Sequence, residues 1–192
     1  MPLSARFEDC LVWASQLHRD QVRKGTTIPY VAHLLAVASL VLEHGGDEDL
    51  VIAALLHDAV EDQGGQARLD EIRDRFGARV ARVVEGCTDA MTLPKPPWRA
   101  RKQAYLEHLP RASAEIRLVS CADKLHNARS ILLDFREHGD DMWSRFTAGR
   151  EGVLWYYGAL RDVFTAHGPV ALARELHRVV EQIQALVSTP ER

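Results

Sequence analysis

Apolar residues recur at spacings of three and four along most of the chain, and each run is cut off by glycine or proline. Such a pattern permits amphipathic helices of one to two dozen residues and little else. Phe7, Leu11, Ala14 and Leu17 form the first stripe, on a helix ending near His18. RKGTTIP (23–29) then reads as a turn, because Gly25 breaks the helix and Pro29 pushes Ile28 out of the helical region. A second helix is expected from about Tyr30 to Glu43, stopped by Gly45-Gly46. Asp47 is placed to cap a third helix that carries AALLHDAVED (53–62) and ends before Gly64-Gly65. Two shorter amphipathic segments follow at 68–76 and 78–87, then LPKPPW (93–98), a rigid connector. Helices fit 98–109 and 113–135 with Pro110 between them, and 141–166 and 169–187 parted by Gly168-Pro169. There is no β alternation, internal repeat or low-complexity tract, so the expected fold class is all-α.

The chain has 192 residues, enough for one domain or a domain with a small helical extension. Its 46% hydrophobic and 27% charged residues are ordinary for a globular core. A net charge of −3 gives no basic field of the kind nucleic-acid binding needs. Cys10, Cys87 and Cys121 are odd in number and scattered, and read as reduced thiols. That favours a cytoplasmic setting. The first twenty residues carry charges where a signal peptide needs an apolar core, and no apolar run approaches the ~18 residues of a membrane span. A soluble cytoplasmic protein is expected, with neither membrane nor nucleic acid as partner.

AALLHDAVED changes character midway, from an apolar run to a histidine and three carboxylates within six residues. His57 and Glu61 are four apart, as are Asp58 and Asp62, so one broad helix surface presents all four. Adjacent His-Asp suits one ion only where a helix ends and neighbouring side chains wrap the same way. Imidazole with carboxylate fits a divalent metal such as Mn2+, Fe2+ or Zn2+, and carboxylates this close repel one another without a cation. The alternative is a solvated helix end. His33 stands early in the second helix, as a ligand or as a satisfied core histidine. Asp123 interrupts the apolar stretch IRLVSCADKLHNARSILLDF (116–135) and is costly to bury unpaired. Its partner is either a basic side chain or a metal.

His33, His57-Asp58 and Asp123 follow the H…HD…D order of the HD-domain metal-dependent phosphohydrolases, which this chain resembles. QVRKGTTIPYVAHLLAVA, AALLHDAVED, FGARVARVVEGCTD and ADKLHNARS narrow the resemblance to the hydrolase domain of RelA/SpoT-type alarmone enzymes. In length the chain resembles the stand-alone small alarmone hydrolases. The resemblance covers roughly residues 8–135 and implies an HD-domain helical bundle with additional C-terminal helices. It divides the chain into a hydrolase core over 1–135 and a helical extension over 136–192 packed on the same domain.

By that resemblance His33, His57, Asp58 and Asp123 would hold one divalent ion, typically Mn2+, with Fe2+ and Zn2+ as alternatives. Glu61 and Asp62 match the catalytic ED pair, and would orient or deprotonate water and help protonate the leaving 3′ oxygen. Arg23 and Lys24 match the RK that meets the guanine base, a role suited to a planar guanidinium; without the resemblance they are a capping charge. Asn127 and Ser130 match positions that bond the nucleoside. The implied reaction is a phosphoric diester hydrolysis, removing the 3′-pyrophosphate of (p)ppGpp, with a guanosine nucleotide as the partner. Nothing resembles the nucleotide-synthesising domain of the long enzymes.

The sequence departs from the family at Asp20, where glycine is usual, at Leu34, where proline is usual, and at Lys124, where arginine is usual. Asp20, near Arg23, bears on substrate preference. Another nucleotide phosphate (NADPH, a deoxynucleotide or a nucleoside monophosphate) is therefore an alternative substrate, and a non-catalytic nucleotide-binding regulator is a third reading. Arg99, Arg101 and Lys102 are either pyrophosphate contacts or a solvated basic face. Trp143, Trp155, Tyr156 and Tyr157 divide between core packing and the wall of a pocket or interface.

Overall fold

The computed structural model describes residues 2–91 and 94–188, and ten α-helices run through them. They are α1 (Ala5–Leu17), α2 (Val31–Glu43), α3 (Glu48–Leu56), α4 (Ala59–Gln63), α5 (Gly65–Phe76), α6 (Ala78–Cys87), α7 (Trp98–His108), α8 (Ala114–His138), α9 (Gly149–His167) and α10 (Val170–Ser188). Short 3-10 turns occupy Leu109–Arg111 and Gly139–Arg145. Extended pairing among the described residues is limited to one isolated bridge, Val22 with Pro29. The fold is all-α, as the periodicity predicts. No helix among the described residues is long and apolar enough to cross a membrane.

Helix starts follow from short oxygen side chains that accept otherwise unpaired N–H groups. Ser4 accepts from Arg6 N–H at 3.2 Å, Asp47 from Leu50 N–H at 3.2 Å and Ser113 from Ile116 N–H at 3.3 Å. The stop of α2 is the glycine pair: Gly45 N–H donates to Leu42 O at 3.1 Å and Gly46 N–H to Val41 O at 2.9 Å. α3 is apolar all round from Leu50 to Leu56, and every one of those residues is buried. It packs against α1, α2, α6 and α8. A helix of that kind belongs at the centre of a core, and its C-terminal end delivers His57 and Asp58 there. α8 is the second central element, covered by α2, α6, α9 and α10.

Several boundaries differ from the sequence reading, and the helix expected over 68–76 already begins at Gly65. The third helix does not run unbroken to Gly64: it stops at Leu56, and α4 restarts at Ala59. At Asp58 the backbone moves to φ −98°, ψ −5°, away from the helical basin and toward the bridge region, so adjacent side chains can aim the same way. The helix expected over 113–135 runs on to His138. The helix expected from 141 begins only at Gly149. Before it, Asp140 accepts from the Trp143 indole N–H at 2.9 Å and Ser144 donates to Asp141 O at 2.8 Å. Local side-chain bonds of this sort compete with the α-helical ladder. From Pro94 through Pro97 the connector is non-helical; Leu93, with which it begins, lies outside the described residues, as do Met1 and 189–192 of the expected domains.

The cysteines are unpaired, with Cys10 and Cys121 buried. Trp143, Tyr156 and Tyr157 are buried, and Trp155 is half-buried under the Arg99 guanidinium.

Two glycine substitutions test this packing in opposite directions. A Cβ at Gly46 would stand 2.4 Å from Val41 Cγ1 and 2.9 Å from Val41 O, whereas one at Gly158 in α9 would meet only Gln184 Nε2, at 3.6 Å. Gly46→Ala should destabilise by about 1–3 kcal/mol, and Gly158→Ala should stabilise by about 0.4–1 kcal/mol, both read from urea unfolding.

Candidate metal centre and active site

Four side chains from two helices and one helix break converge inside the bundle. His33 comes from the first turn of α2, His57 and Asp58 from the break between α3 and α4, and Asp123 from the middle of α8. His33 Nε2 and His57 Nε2 are 3.3 Å apart. Asp58 Oδ2 lies 3.0 Å from His57 Nε2 and 3.6 Å from His33 Nε2. Asp123 Oδ1 lies 3.2 Å from His33 Nε2 and 3.6 Å from His57 Nε2. Both histidines and Asp123 are buried, while the Asp58 side chain keeps 22% of its surface exposed and marks the open side.

The outer atoms of these residues are also held. His57 Nδ1–H donates to Ala54 O at 2.8 Å, which leaves the Nε2 lone pair facing the cluster. His33 Nδ1 meets His126 Nδ1 at 2.8 Å. Burial, then the charge of His33, pushes His126 down to about 4, so a neutral His126 accepts from His33 and leaves the His33 Nε2 lone pair facing inward as well. Tyr30 O–H donates to Asp58 Oδ2 at 2.5 Å. Asp123 Oδ2 accepts from Lys124 Nζ at 2.5 Å, and its Oδ1 accepts from Asn127 Nδ2 at 2.5 Å. The sequence offered a basic side chain or a metal as the partner of Asp123. The structure supplies the lysine on one oxygen and aims the other at the histidines.

Electrostatics state the same constraint. Burial opposes charge on Asp58, yet His57 holds it well below the usual carboxylate range. Burial likewise opposes charge on Asp123, and Lys124 then holds it well below that range. Burial pulls His57 down, but the Asp58 charge and a hydrogen bond to Asp123 raise it well above an ordinary imidazole. Two imidazole lone pairs and two carboxylate oxygens meeting in a buried space require a positive charge between them. A proton serves, and so does a cation that takes nitrogen and oxygen together. The donor set fits a divalent metal ion, and ligand atoms of His33, His57 and Asp58 lie within 4.8 Å of one another.

Glu61 and Asp62 sit beside this cluster on α4. Glu61 Oε1 accepts from Lys95 Nζ at 2.8 Å and lies 3.6 Å from Arg101 Nη1. Asp62 Oδ2 accepts from Gln21 Nε2 at 2.8 Å, and its Oδ1 is 3.8 Å from Lys95. Burial and then the Asp89 charge raise the Glu61 carboxyl, and burial and then Asp58 raise Asp62. Carboxyls raised this way hold a proton more readily than ordinary surface acids, as proton transfer needs.

On the other side of Asp123, Asn127 Oδ1 accepts from Arg23 Nη2 at 2.7 Å, and the Arg23 guanidinium lies 5.8 Å from the Tyr30 ring centre. Asp123, Asn127 and Arg23 therefore form one continuous row. Lys24 extends to Thr147 Oγ1 at 3.4 Å, and Ser130 donates its hydroxyl to His126 O at 3.1 Å. Asp20 is exposed, and no non-glycine residue described has a positive φ, so its backbone does not demand the glycine usual there. Arg101 and Lys102 are not a solvated face: both side chains are largely buried and pair with Asp89. Lys95, Tyr30, His126 and Gln21 were missed by sequence reasoning. Only Lys95 carried a signal, as the one cation held between prolines in the connector.

The HD domain model matches residues 10–154, and the chain belongs to this family. Among curated proteins it is 41% identical over 133 residues to human guanosine-3′,5′-bis(diphosphate) 3′-pyrophosphohydrolase MESH1, spanning 67% of this chain and 70% of that protein. It is 38% identical over 128 residues to the guanosine-3′,5′-bis(diphosphate) 3′-pyrophosphohydrolase of Aquifex aeolicus, where the match spans 17% of that longer protein. A solved structure described as a metazoan ortholog of SpoT that hydrolyzes ppGpp superposes with a TM-score of 0.79 at 28% identity, covering 95% of this chain and 98% of that one.

The buried Lys124–Asp123 pair generates a stability test. Lys124→Met should lower the stability of the metal-free protein by about 3 kcal/mol, because Asp123 Oδ2 then loses its buried counter-charge. Saturating Mn2+ should restore part of that loss, measured as urea midpoints with and without the ion.

Proposed function

We propose that this chain is a metal-dependent hydrolase that removes the 3′-pyrophosphate of (p)ppGpp, yielding GDP or GTP and pyrophosphate. The observation that carries the reading is the row joining the His33, His57, Asp58 and Asp123 cluster through Asn127 to Arg23, with Glu61 and Asp62 flanking the cluster. The names of the relatives support the same substrate.

In this reading His33, His57, Asp58 and Asp123 hold one divalent ion, Mn2+. Such an ion supplies Lewis-acid activation of water and neutralises phosphate charge. Arg23 lays its guanidinium against the guanine base and Lys24 lies beside it, while Asn127 and Ser130 bond the nucleoside. Glu61 and Asp62 orient the attacking water and take its proton as the new P–O bond forms. The bond from phosphorus to the 3′ oxygen breaks, and the same acidic pair returns a proton to that oxygen. Lys95 and Arg101 face Glu61, where their charge offsets that of the departing pyrophosphate. The partner is a small guanosine nucleotide, and the unpaired cysteines favour a cytoplasmic setting.

Product analysis tests the proposal. Metal-stripped protein incubated with ppGpp should release GDP and pyrophosphate only when Mn2+ is added; an intact, Mn2+-loaded protein that leaves ppGpp untouched contradicts it. Asp58→Ala should lower metal content and activity together. Glu61→Gln should keep the metal and lose turnover by roughly 100-fold or more, checked by metal analysis alongside single-turnover rates.

A further inference from the structure

His18 is buried at the C-terminal end of α1, 2% exposed, and its sequence context gives no reason for it to be there. Its Nδ1 is 2.7 Å from Gln21 Oε1, and its ring stacks on Tyr30 with centres 5.1 Å apart and planes at 18°. Gln21 Nε2 donates to Asp62 Oδ2 at 2.8 Å, and Gln21 Oε1 accepts a second bond from Gln63 Nε2 at 2.8 Å.

The chemistry fixes every orientation in this chain. An ionised carboxylate only accepts, so the amide NH2 of Gln21 must face Asp62. Its oxygen must then face His18, which must carry its proton on Nδ1. The Nε2 of His18 is buried with no partner, as befits a bare lone pair on a neutral ring. Burial, the largest influence on this histidine, lowers its pKa.

The backbone is held too. Gln21 N–H donates to His18 O at 3.1 Å, and Tyr30 N–H donates to Gln21 O at 2.9 Å. Gln21 is therefore immobilised at its main chain and at both ends of its amide. The same His18 ring supports Tyr30, whose hydroxyl holds Asp58.

We propose that Gln21 is a positioning residue that sets the angle of the Asp62 carboxylate, and that His18 locks the Gln21 amide in the orientation this requires. The inference rests on the assignment of Asp62 to proton transfer. Gln21 touches neither substrate nor ion; it acts through Asp62. Misplacing a catalytic group by a fraction of an ångström is costly because proton transfer needs a narrow geometry. Gln21 is thus tied to turnover and not to metal binding.

The test uses four variants of the full chain loaded with Mn2+: Gln21→Met, His18→Phe, the double variant, and Asp62→Asn as reference. His18→Phe keeps a ring over Tyr30 but removes both ring nitrogens, and with them the Nδ1–H donor to Gln21. Gln21→Met should lower kcat by about 10–100-fold, with KM and metal content unchanged and only a modest fall in thermal midpoint from the unpaired His18 Nδ1–H. Its acidic kcat limb should move to higher pH, because a carboxylate that loses a donor is easier to protonate. His18→Phe should lower kcat less, and the double variant should be no worse than Gln21→Met alone, since the two act in series. Unchanged kcat in Gln21→Met beside an inactive Asp62→Asn overturns the inference while the Asp62 assignment stands. A fully active Asp62→Asn removes that assignment and the inference with it. Loss of bound metal in step with kcat shows a merely structural glutamine and also overturns it.

Discussion

Two imidazole nitrogens 3.3 Å apart each lie 3.0–3.6 Å from one oxygen of Asp58 and one of Asp123 in the middle of a helical bundle. Such a cluster is repulsive when its histidines are neutral and its acids ionised, and it holds together only around a positive charge. Much of the surrounding structure serves that arrangement. The all-apolar α3 carries His57 to the centre, its break at Asp58 lets two adjacent side chains face one point, and α8 brings Asp123 from the opposite side. Ala54 O and His126 settle which nitrogen of each histidine faces inward.

Around that cluster the polar groups divide by task. Asn127 joins Asp123 to Arg23, so the buried His–Asp cluster and the Arg23 turn are linked along one face of α8. Lys95, Arg101 and Lys102 neutralise Glu61 and Asp89 at the other edge. The 3-10 turn before α9 contributes to this geometry: its Arg145 packs so closely on Gly25 that a Cβ there would stand 2.6 Å from its Cδ. The turn carrying Arg23 and Lys24 is thereby held from the C-terminal side as well as by the Val22–Pro29 bridge.

Much of this was legible in the sequence, for identifiable reasons. The three-and-four spacing of apolar residues defines the helices, and Gly45-Gly46 and Asp47 mark a boundary that hydrogen bonds bear out. The crowding of charge in HDAVED and the lone Asp123 in an apolar helix marked groups that are expensive to bury without a counter-charge, a cation or a basic side chain, and Lys124 is one such partner for Asp123. The helix break at His57-Asp58 was not legible, since no glycine or proline marks it; tertiary convergence makes it. Contacts between residues far apart in sequence were equally hidden. Tyr30 with Asp58, Gln21 with Asp62 and His126 with His33 depend on side-chain directions that periodicity does not encode. The delayed start of α9 came from Asp140 and Ser144 bonding locally.

The central claim is that His33, His57, Asp58 and Asp123 converge because they hold one ion. Pulsed electron paramagnetic resonance of the protein loaded with one equivalent of Mn2+ addresses it directly. The account predicts hyperfine coupling from two imidazole nitrogens, reduced to one in His33→Gln. A bound Mn2+ with no nitrogen coupling would place the ion on carboxylates elsewhere and contradict the account.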